Sequence, residues 1–128
     1  MMNAECEAKT KNDVRDLAER TKAFAVRVVR MYCSLPKTTE AQVLGKQVLR
    51  SGTSVGAHYR EAIRARSPAE FVSKIEAALQ ELEETIYWFE LLTEVGIVKD
   101  SRLTNLRQEA EELTAILVAS VRTVKKRT

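Results

Sequence analysis

The stretch RSGTSVGAHYREA, residues 50–62, holds two of the four glycines of the chain and its only histidine. Gly52 and Gly56 are four residues apart, and residues three and four apart share one face of an α-helix. Apolar residues continue this spacing on both sides of the glycines, at Leu44, Val48, Val55, Tyr59, Ala62 and Ile63. The stretch therefore predicts the middle of a helix that runs from Thr39–Glu40 to about Ala65.

Glycine costs about 1 kcal/mol relative to alanine inside a helix, so a structural reason for Gly52 and Gly56 is expected. A small face at these positions favours close approach of a second backbone, or packing of a bulky side chain into the gap. Trp88 and Tyr87, in the next helical segment, are the candidate fillers. We assign Gly52, Gly56 and Trp88 structural roles.

Chemical interpretations of the same stretch are weaker. A phosphate-binding loop needs a preceding strand and a following lysine, and the sequence has neither. A nucleophile at Ser54 with His58 needs unpaired backbone amides to stabilise an oxyanion, which a helix interior does not offer. A single histidine beside Glu61 falls short of a metal ligand set. We therefore expect no catalytic residue, no metal site and no cofactor.

Outward from this stretch, residues 13–34 predict a first amphipathic helix. Asn12 or Asp13 is its candidate N-cap, and Pro36 ends it because the residue before a proline disfavours helical geometry. Its apolar stripe follows steps of three and four, at Val14, Leu17, Thr21, Phe24, Val28, Met31 and Leu35.

The third helix has the clearest start signal in the chain. Ser67 is an N-cap, Pro68 fits the first helical position, and Glu70 completes a capping box. Gly96 ends the helix as its left-handed residue, and Asp100 or Ser101 caps a fourth helix. The predicted inner stripes are Phe71, Ile75, Ala78, Leu79, Leu82, Ile86, Phe89 and Leu92 in the third helix, and Leu103, Leu106, Ala110, Leu113, Ile116 or Leu117, Ser120 and Val124 in the fourth.

Short connections between long helices require antiparallel neighbours, so the predicted fold is all-α, an antiparallel up-down-up-down four-helix bundle. We expect one domain over residues 1–128, with a polar N-terminal tail at 1–11 and a basic C-terminal tail at 125–128. The polar start is unlike a signal peptide, and no apolar run approaches the ~20 residues that span a membrane. We expect a cytoplasmic protein with Cys6 and Cys33 reduced.

The segments LRSGTSVGAHYREA and SPAEFVSKIEAALQELEETIYWFELL resemble the four-helix bundle protein family, also called the 23S ribosomal RNA intervening-sequence or S23-like family. The similarity runs from about Phe24 to Ile97, and the matching residues are Arg50, Ser54, Glu61, Phe71 and Glu84. Many relatives have asparagine where this chain has His58, which weakens a chemical role for that histidine.

The resemblance implies a small antiparallel bundle that assembles into a homo-oligomeric ring, with a pentamer as the expected form. Some members are encoded inside intervening sequences of ribosomal RNA genes. A distant cousin, the accessory protein of diversity-generating retroelements, is a basic pentamer that binds nucleic acid and a reverse transcriptase. For most members no biochemical activity is established, so nucleic-acid binding enters as a hypothesis.

Charge is unevenly distributed along the chain. Lys and Arg outnumber Asp and Glu by 13 to 7 in residues 1–66, whereas the acids lead by 11 to 8 in residues 67–128. If the basic half meets phosphate, the candidate contacts are Arg27, Arg30, Lys46, Arg50, Arg60, Arg64, Lys125 and Lys126. If the charges serve ring assembly, Arg60 and Arg64 would face Glu81, Glu84 and Glu94 of a neighbouring copy.

Glu61 and Glu84 lie near the predicted inner stripes, where a carboxylate needs a partner such as Arg50, Arg60, Lys74 or Tyr59. We favour this structural role over a catalytic one. The sequence as a whole predicts a non-enzymatic, oligomeric, nucleic-acid or ribonucleoprotein-associated protein. Its expected partners are further copies of itself and RNA, DNA or a ribonucleoprotein, with no membrane and no small-molecule substrate. The alternative is a protein-interaction scaffold whose charge asymmetry serves ring assembly, with no nucleic-acid binding.

Overall fold

The computed structural model describes residues 4–127, with side chains from Asp16 onward. Four helices follow one another in the order α1 (Ala4–Cys33), α2 (Thr39–Ile63), α3 (Pro68–Glu94) and α4 (Asp100–Arg127). Between Ala4 and Arg127 the chain forms no strand. The prediction of an all-α four-helix bundle is confirmed.

Neighbouring helices run antiparallel, as the order of their contacts shows. Along α2, Gly45, Gly52 and Gly56 face residues of falling number on α1, namely Tyr32, Val28 and Thr21. The other three helix pairs show the same reversal. Between α2 and α3, Ser51 contacts Thr85 and Glu61 contacts Lys74. Between α3 and α4, Glu90 contacts Arg107 and Glu76 contacts Lys125, and between α1 and α4, Arg20 contacts Glu109 while Arg27 and Arg102 line one cavity. The chain therefore goes up and down around one core.

The core is built from one apolar stripe of each helix, because burial of that stripe is the main favourable term in folding. The predicted stripes of α1, from Leu17 onward, and of α2 are largely buried, whereas Met31 and Leu44 are half-buried and Ile63 is exposed. The side chain of Val14 lies outside the described part. In α4 the buried stripe continues through Leu117 to Val121. Ser120 and Val124, predicted to be inside, are only half-buried, because the stripe there advances in steps of four.

The two glycines of the opening stretch lie against α1. A methyl group on Gly52 would meet Val28 at 2.8 Å, and one on Gly56 would meet Thr21 at 3.2 Å. The predicted close approach is therefore present, but Trp88 and Tyr87 do not fill the gap. The glycine face of α2 points to α1, while Trp88 packs half-buried against the core from α3. Its buried indole Nε1 has no hydrogen-bond partner among the described residues.

The start of α3 has the predicted Ser67 cap, but the second half of the predicted capping box differs, because Glu70 reaches the amide of Arg66 and not that of Ser67. The Ser67 hydroxyl accepts from the amide of Glu70 at 3.1 Å, and the Glu70 carboxylate accepts from the amide of Arg66 at 3.1 Å. At the other end, Gly96 has φ +79°, and the amide of Ile97 donates to the carbonyl of Leu92. This geometry is a Schellman-type C-terminus, which favours glycine.

Three predicted boundaries differ. Helix α1 already begins at Ala4, so Asn12 and Asp13 do not cap it, and α4 continues through Lys125 and Lys126 to Arg127 instead of ending in a frayed tail. Asp100 is the first residue of α4, where its carboxylate lies 3.5 Å from Arg107. Alanine, glutamate, lysine and arginine are strong helix formers, so helix propensity extends both helices beyond their apolar stripes. The part of the predicted N-terminal tail at 1–3, and Thr128, lie outside the described residues.

The bundle has two ends. The loop end carries the α1–α2 and α3–α4 connections, residues 34–38 and 95–99. The opposite end carries the α2–α3 connection, residues 64–67, and the last turn of α4. Within the part of the chain that the structure describes, no helix has the length and apolar character needed to cross a membrane. Cys33 is an exposed free thiol, and the side chain of Cys6 lies outside the described part.

Candidate nucleic-acid interface

A row of ion pairs covers the seam between α2 and α3. Arg50 donates to Glu84 at 2.9 Å and to Glu81 at 3.4 Å, and these contacts, led by the hydrogen bond to Glu84, raise the pKa of Arg50. Arg50 was predicted to meet phosphate, and the two glutamates were predicted to meet a neighbouring copy. In the structure all three groups already have partners within the chain.

Glu61 and Glu84 do not face the core, because their side chains are about half exposed at the edge of this seam. Glu61 lies 2.8 Å from His58 and 3.8 Å from Lys74, and the hydrogen bond with His58 lowers the pKa of Glu61. Arg50 and Lys74 are therefore partners of Glu84 and Glu61, as predicted. The two glutamates are not buried, however, so they do not need these partners to offset a loss of solvent. His58 takes part in a surface pair with Glu61.

Several other cations are paired across helices. Arg20 on α1 makes a two-point contact with Glu109 on α4, at 2.7 and 3.1 Å, and this contact raises the pKa of Arg20. Arg107 lies between Asp100 and Glu90, and Lys125 lies 3.8 Å from Glu76. Carboxylates within the chain balance the charges of these groups, which are therefore less available to a ligand.

Three arginines at the loop end are different. Arg27 and Arg30 of α1 and Arg102 of α4 line one cavity of about 310 Å³, which we call the arginine pocket. No carboxylate lines it, and none of the described residues forms an ion pair with any of the three. The remaining wall is mostly apolar, built from Met31, Leu35, Ile97, Val98, Leu103 and Leu106 together with Ser34 and Pro36.

Arg102 was missed by the sequence analysis. It lies more than seventy residues from Arg27 and Arg30, and only the antiparallel packing of α1 and α4 brings it beside them. One signal was present in the sequence. Arg102 is in the first turn of α4, where the positive end of the helix dipole disfavours a cation by about 0.3–1 kcal/mol. Arg30, in the last turn of α1, fits its helix dipole.

The opposite end collects a second group of cations. Arg60 and Arg64 are exposed at the end of α2, and the last turn of α4 brings Lys125, Lys126 and Arg127 to the same end. An apolar cleft of about 440 Å³ lies at this end, and its lining includes Ile63, Phe71, Val124 and Arg127. The two basic ends are about 35 Å apart along α4, at ~1.5 Å per residue.

The remaining predicted residues stand apart from both ends. Lys46 is exposed on α2, and Glu94 is exposed in the last turn of α3. Neither forms an ion pair with another described residue. Across residues 16–127, His, Cys, Asp and Glu side chains do not gather into any group of three that could hold a metal ion.

The fold and its two cationic ends thus define a small, all-α, four-helix bundle protein. Residues 15–119 match the family model of the 23S rRNA-intervening sequence protein, and the chain belongs to this family. A solved structure from Bacteroides thetaiotaomicron, a protein of unknown function from the S23 ribosomal protein family, is 35% identical with a TM-score of 0.80. The match covers 85% of this chain and 97% of that one. No curated protein matches the chain.

Proposed function

We propose that this protein is a non-enzymatic accessory protein that binds the phosphate backbone of a nucleic acid or ribonucleoprotein in the cytoplasm. The observation that carries the proposal is the contrast between two sets of arginines. Arg20, Arg50 and Arg107 are paired with carboxylates, whereas Arg27, Arg30 and Arg102 gather around one cavity without any. Arginine is well suited to phosphate because its guanidinium offers two parallel donors.

The second basic end supports the same role. Arg60 and Arg64 have no ion pair among the described residues, and Lys126 and Arg127 extend the positive surface. Two positive ends about 35 Å apart suit an extended polyanion better than a small substrate. Phe24 and Phe89 are buried and cannot stack on bases, and the exposed Tyr87 lies on α3 outside the cavities at the two basic ends. Binding should therefore be led by phosphate, weakly specific and sensitive to salt.

The family description, a protein of an rRNA intervening sequence, agrees with an RNA context. We propose in addition that the chain forms a homo-oligomeric ring, with a pentamer as the expected form. A ring would present several copies of each basic end to one nucleic acid, which raises the overall affinity without any new contact.

Fluorescence anisotropy with a labelled single-stranded RNA and a duplex DNA, between roughly 50 and 300 mM salt, tests phosphate binding. The logarithm of the affinity should fall linearly with the logarithm of the salt concentration, by about 0.7 per phosphate for single strands and about 0.9 for duplex DNA. Arg64→Gln should weaken binding of all sequences alike and reduce this slope by about 1.

Arg107→Gln is the matched control, because it removes the same charge from a side chain that is already paired. It should leave the slope nearly unchanged. No binding of either probe at the lowest salt would overturn the proposal. The alternative function would then remain, a protein-interaction scaffold whose charges serve assembly.

A further inference from the structure

We propose that the arginine pocket binds a terminal phosphate monoester, such as the 5′-phosphate of a nucleic-acid strand. Binding of the 5′-phosphate at the end of a nucleic-acid strand rests on the proposed nucleic-acid function. The binding of the monoester itself does not, because a free mononucleotide offers the same chemical group.

Charge is the first argument. Three arginines line one cavity, and no carboxylate lines its wall. An internal phosphodiester offers one negative charge, whereas a phosphate monoester has about −1.5 to −2 at pH 7. The monoester also exposes three terminal oxygens, enough for bidentate contacts with more than one arginine. The pocket is thus a better match for a terminal phosphate than for the middle of a strand.

Position is the second argument. Arg30 lies in the last turn of α1, where the helix dipole alone could account for a cation, and Arg27 lies three residues before it. Arg102 lies at the start of α4, where the dipole opposes a cation and favours an anion. The charge of Arg102 is therefore unfavourable at the N-terminus of α4 when the pocket is empty. It becomes favourable when an anion enters the pocket. This makes Arg102 the residue that best reports on a ligand.

Size and lining are the third argument. A volume of about 310 Å³ lies at the lower limit of the range usual for small-molecule pockets, about 300–1,000 Å³. Apolar side chains from three segments, Leu35, Ile97 and Leu103, form the wall beside the arginines. A phosphate on the guanidiniums with the attached sugar or base against this wall would use both parts of the pocket. Inorganic phosphate would use only the charged part and should bind more weakly.

The test compares two RNA oligonucleotides of one sequence, one with a 5′-phosphate and one with a 5′-hydroxyl, both labelled at the 3′ end. Anisotropy at fixed salt should show about tenfold tighter binding of the phosphorylated strand, equivalent to one additional charged contact. Arg102→Gln should abolish this preference. Arg107→Gln, on the same helix but outside the pocket, should retain it.

A calorimetric titration with AMP, adenosine and inorganic phosphate shows whether the pocket recognises the phosphate, the nucleoside or both together. The pocket is supported if AMP binds, adenosine does not, and Arg102→Gln removes the binding of AMP. If neither oligonucleotide binds in the same experiments, the proposed nucleic-acid function fails, but the monoester pocket stands. Equal affinity for the two oligonucleotides together with no AMP binding overturns the pocket and leaves the proposed function intact. No binding of any oligonucleotide or nucleotide overturns both.

Discussion

Small residues let α1 and α2 meet at the centre of the bundle. Gly52 and Gly56 are fully buried, and the nearest atoms to the missing side chains belong to Val28 and Thr21. The buried hydroxyls of this region are satisfied, since Thr85 Oγ1 lies 2.7 Å from Ser51 Oγ and Thr21 donates to the carbonyl of Leu17. Close packing of α1 against α2 thus offsets the free-energy cost of placing glycine inside a helix.

Gly52→Ala should lower the free energy of unfolding by up to about 2 kcal/mol, measured by urea denaturation. Alanine gains about 1 kcal/mol of helix propensity, but overpacking costs about 1–3 kcal/mol. The new methyl would lie within 3 Å of both Cγ atoms of Val28, a β-branched side chain that cannot easily rotate away.

Gly56→Ala is the control for this substitution, because the nearest atom to its new methyl, Thr21 Oγ1, would lie at 3.2 Å instead of 2.8 Å. It should be less destabilising. In the double variant Gly52→Ala/Val28→Ala the two effects should be less than additive, since the smaller side chain removes the collision. Full additivity would contradict the packing argument.

The helix ends show which sequence signals dominate within an element. Ser67 caps α3 at 3.1 Å, and Thr38 caps α2 by accepting from the amide of Ala41 at the longer distance of 3.4 Å. Helices α1 and α4, by contrast, extend past their apolar stripes into polar sequence. A side-chain cap satisfies amides that water would otherwise have to reach, so it fixes a boundary more sharply than propensity does.

Ser67→Ala should destabilise the protein by about 0.5–2 kcal/mol, because the first turn of α3 loses its hydrogen-bond acceptor. The measurement is thermal unfolding followed by circular dichroism. Thr38→Ala should have a smaller effect, since its hydrogen bond is longer. Ser67→Asp, which restores an acceptor oxygen, should recover most of the loss. An equal loss in Ser67→Asp and Ser67→Ala would argue against capping as the cause.

At the scale of the whole molecule, antiparallel packing sorts the charges. Arg20 and Arg50 along the seams are paired with Glu81, Glu84 and Glu109, whereas three arginines at the loop end and two at the opposite end form no ion pair with another described residue, namely Arg27, Arg30, Arg102, Arg60 and Arg64. Arg60 and Arg64 remain exposed, so they are the predicted interface residues best placed to act between copies.

We expect light scattering after size exclusion to show a homo-oligomer, with the mass of five chains as the expected value. If charge pairs set the assembly, the mass should fall at 1 M salt, where the screening length is about 3 Å instead of about 10 Å at 0.1 M. Arg60→Glu/Arg64→Glu should dissociate the ring at low salt, whereas Lys46→Glu should not. A monomer under all conditions would contradict the predicted assembly.

The sequence by itself determined the helices, their order and most of the core. Period and capping are local properties, so the stripe from Leu17 to Val28, the cap at Ser67 and the turn at Gly96 could be read directly. The resemblance to the intervening-sequence family was carried by the same local segments, and the family match confirms it.

Only the tertiary structure decided which charges are available. Arg50 and Arg102 look alike in the sequence, yet one is paired by two glutamates of α3 and the other lies beside Arg27 and Arg30 in a cavity without acids. The partner of the glycine face was likewise undetermined, because helical spacing shows which residues share a face but not which helix that face meets. The physical reason is that ion pairing and close packing depend on distances between segments far apart in the chain, and periodicity contains no information about those distances.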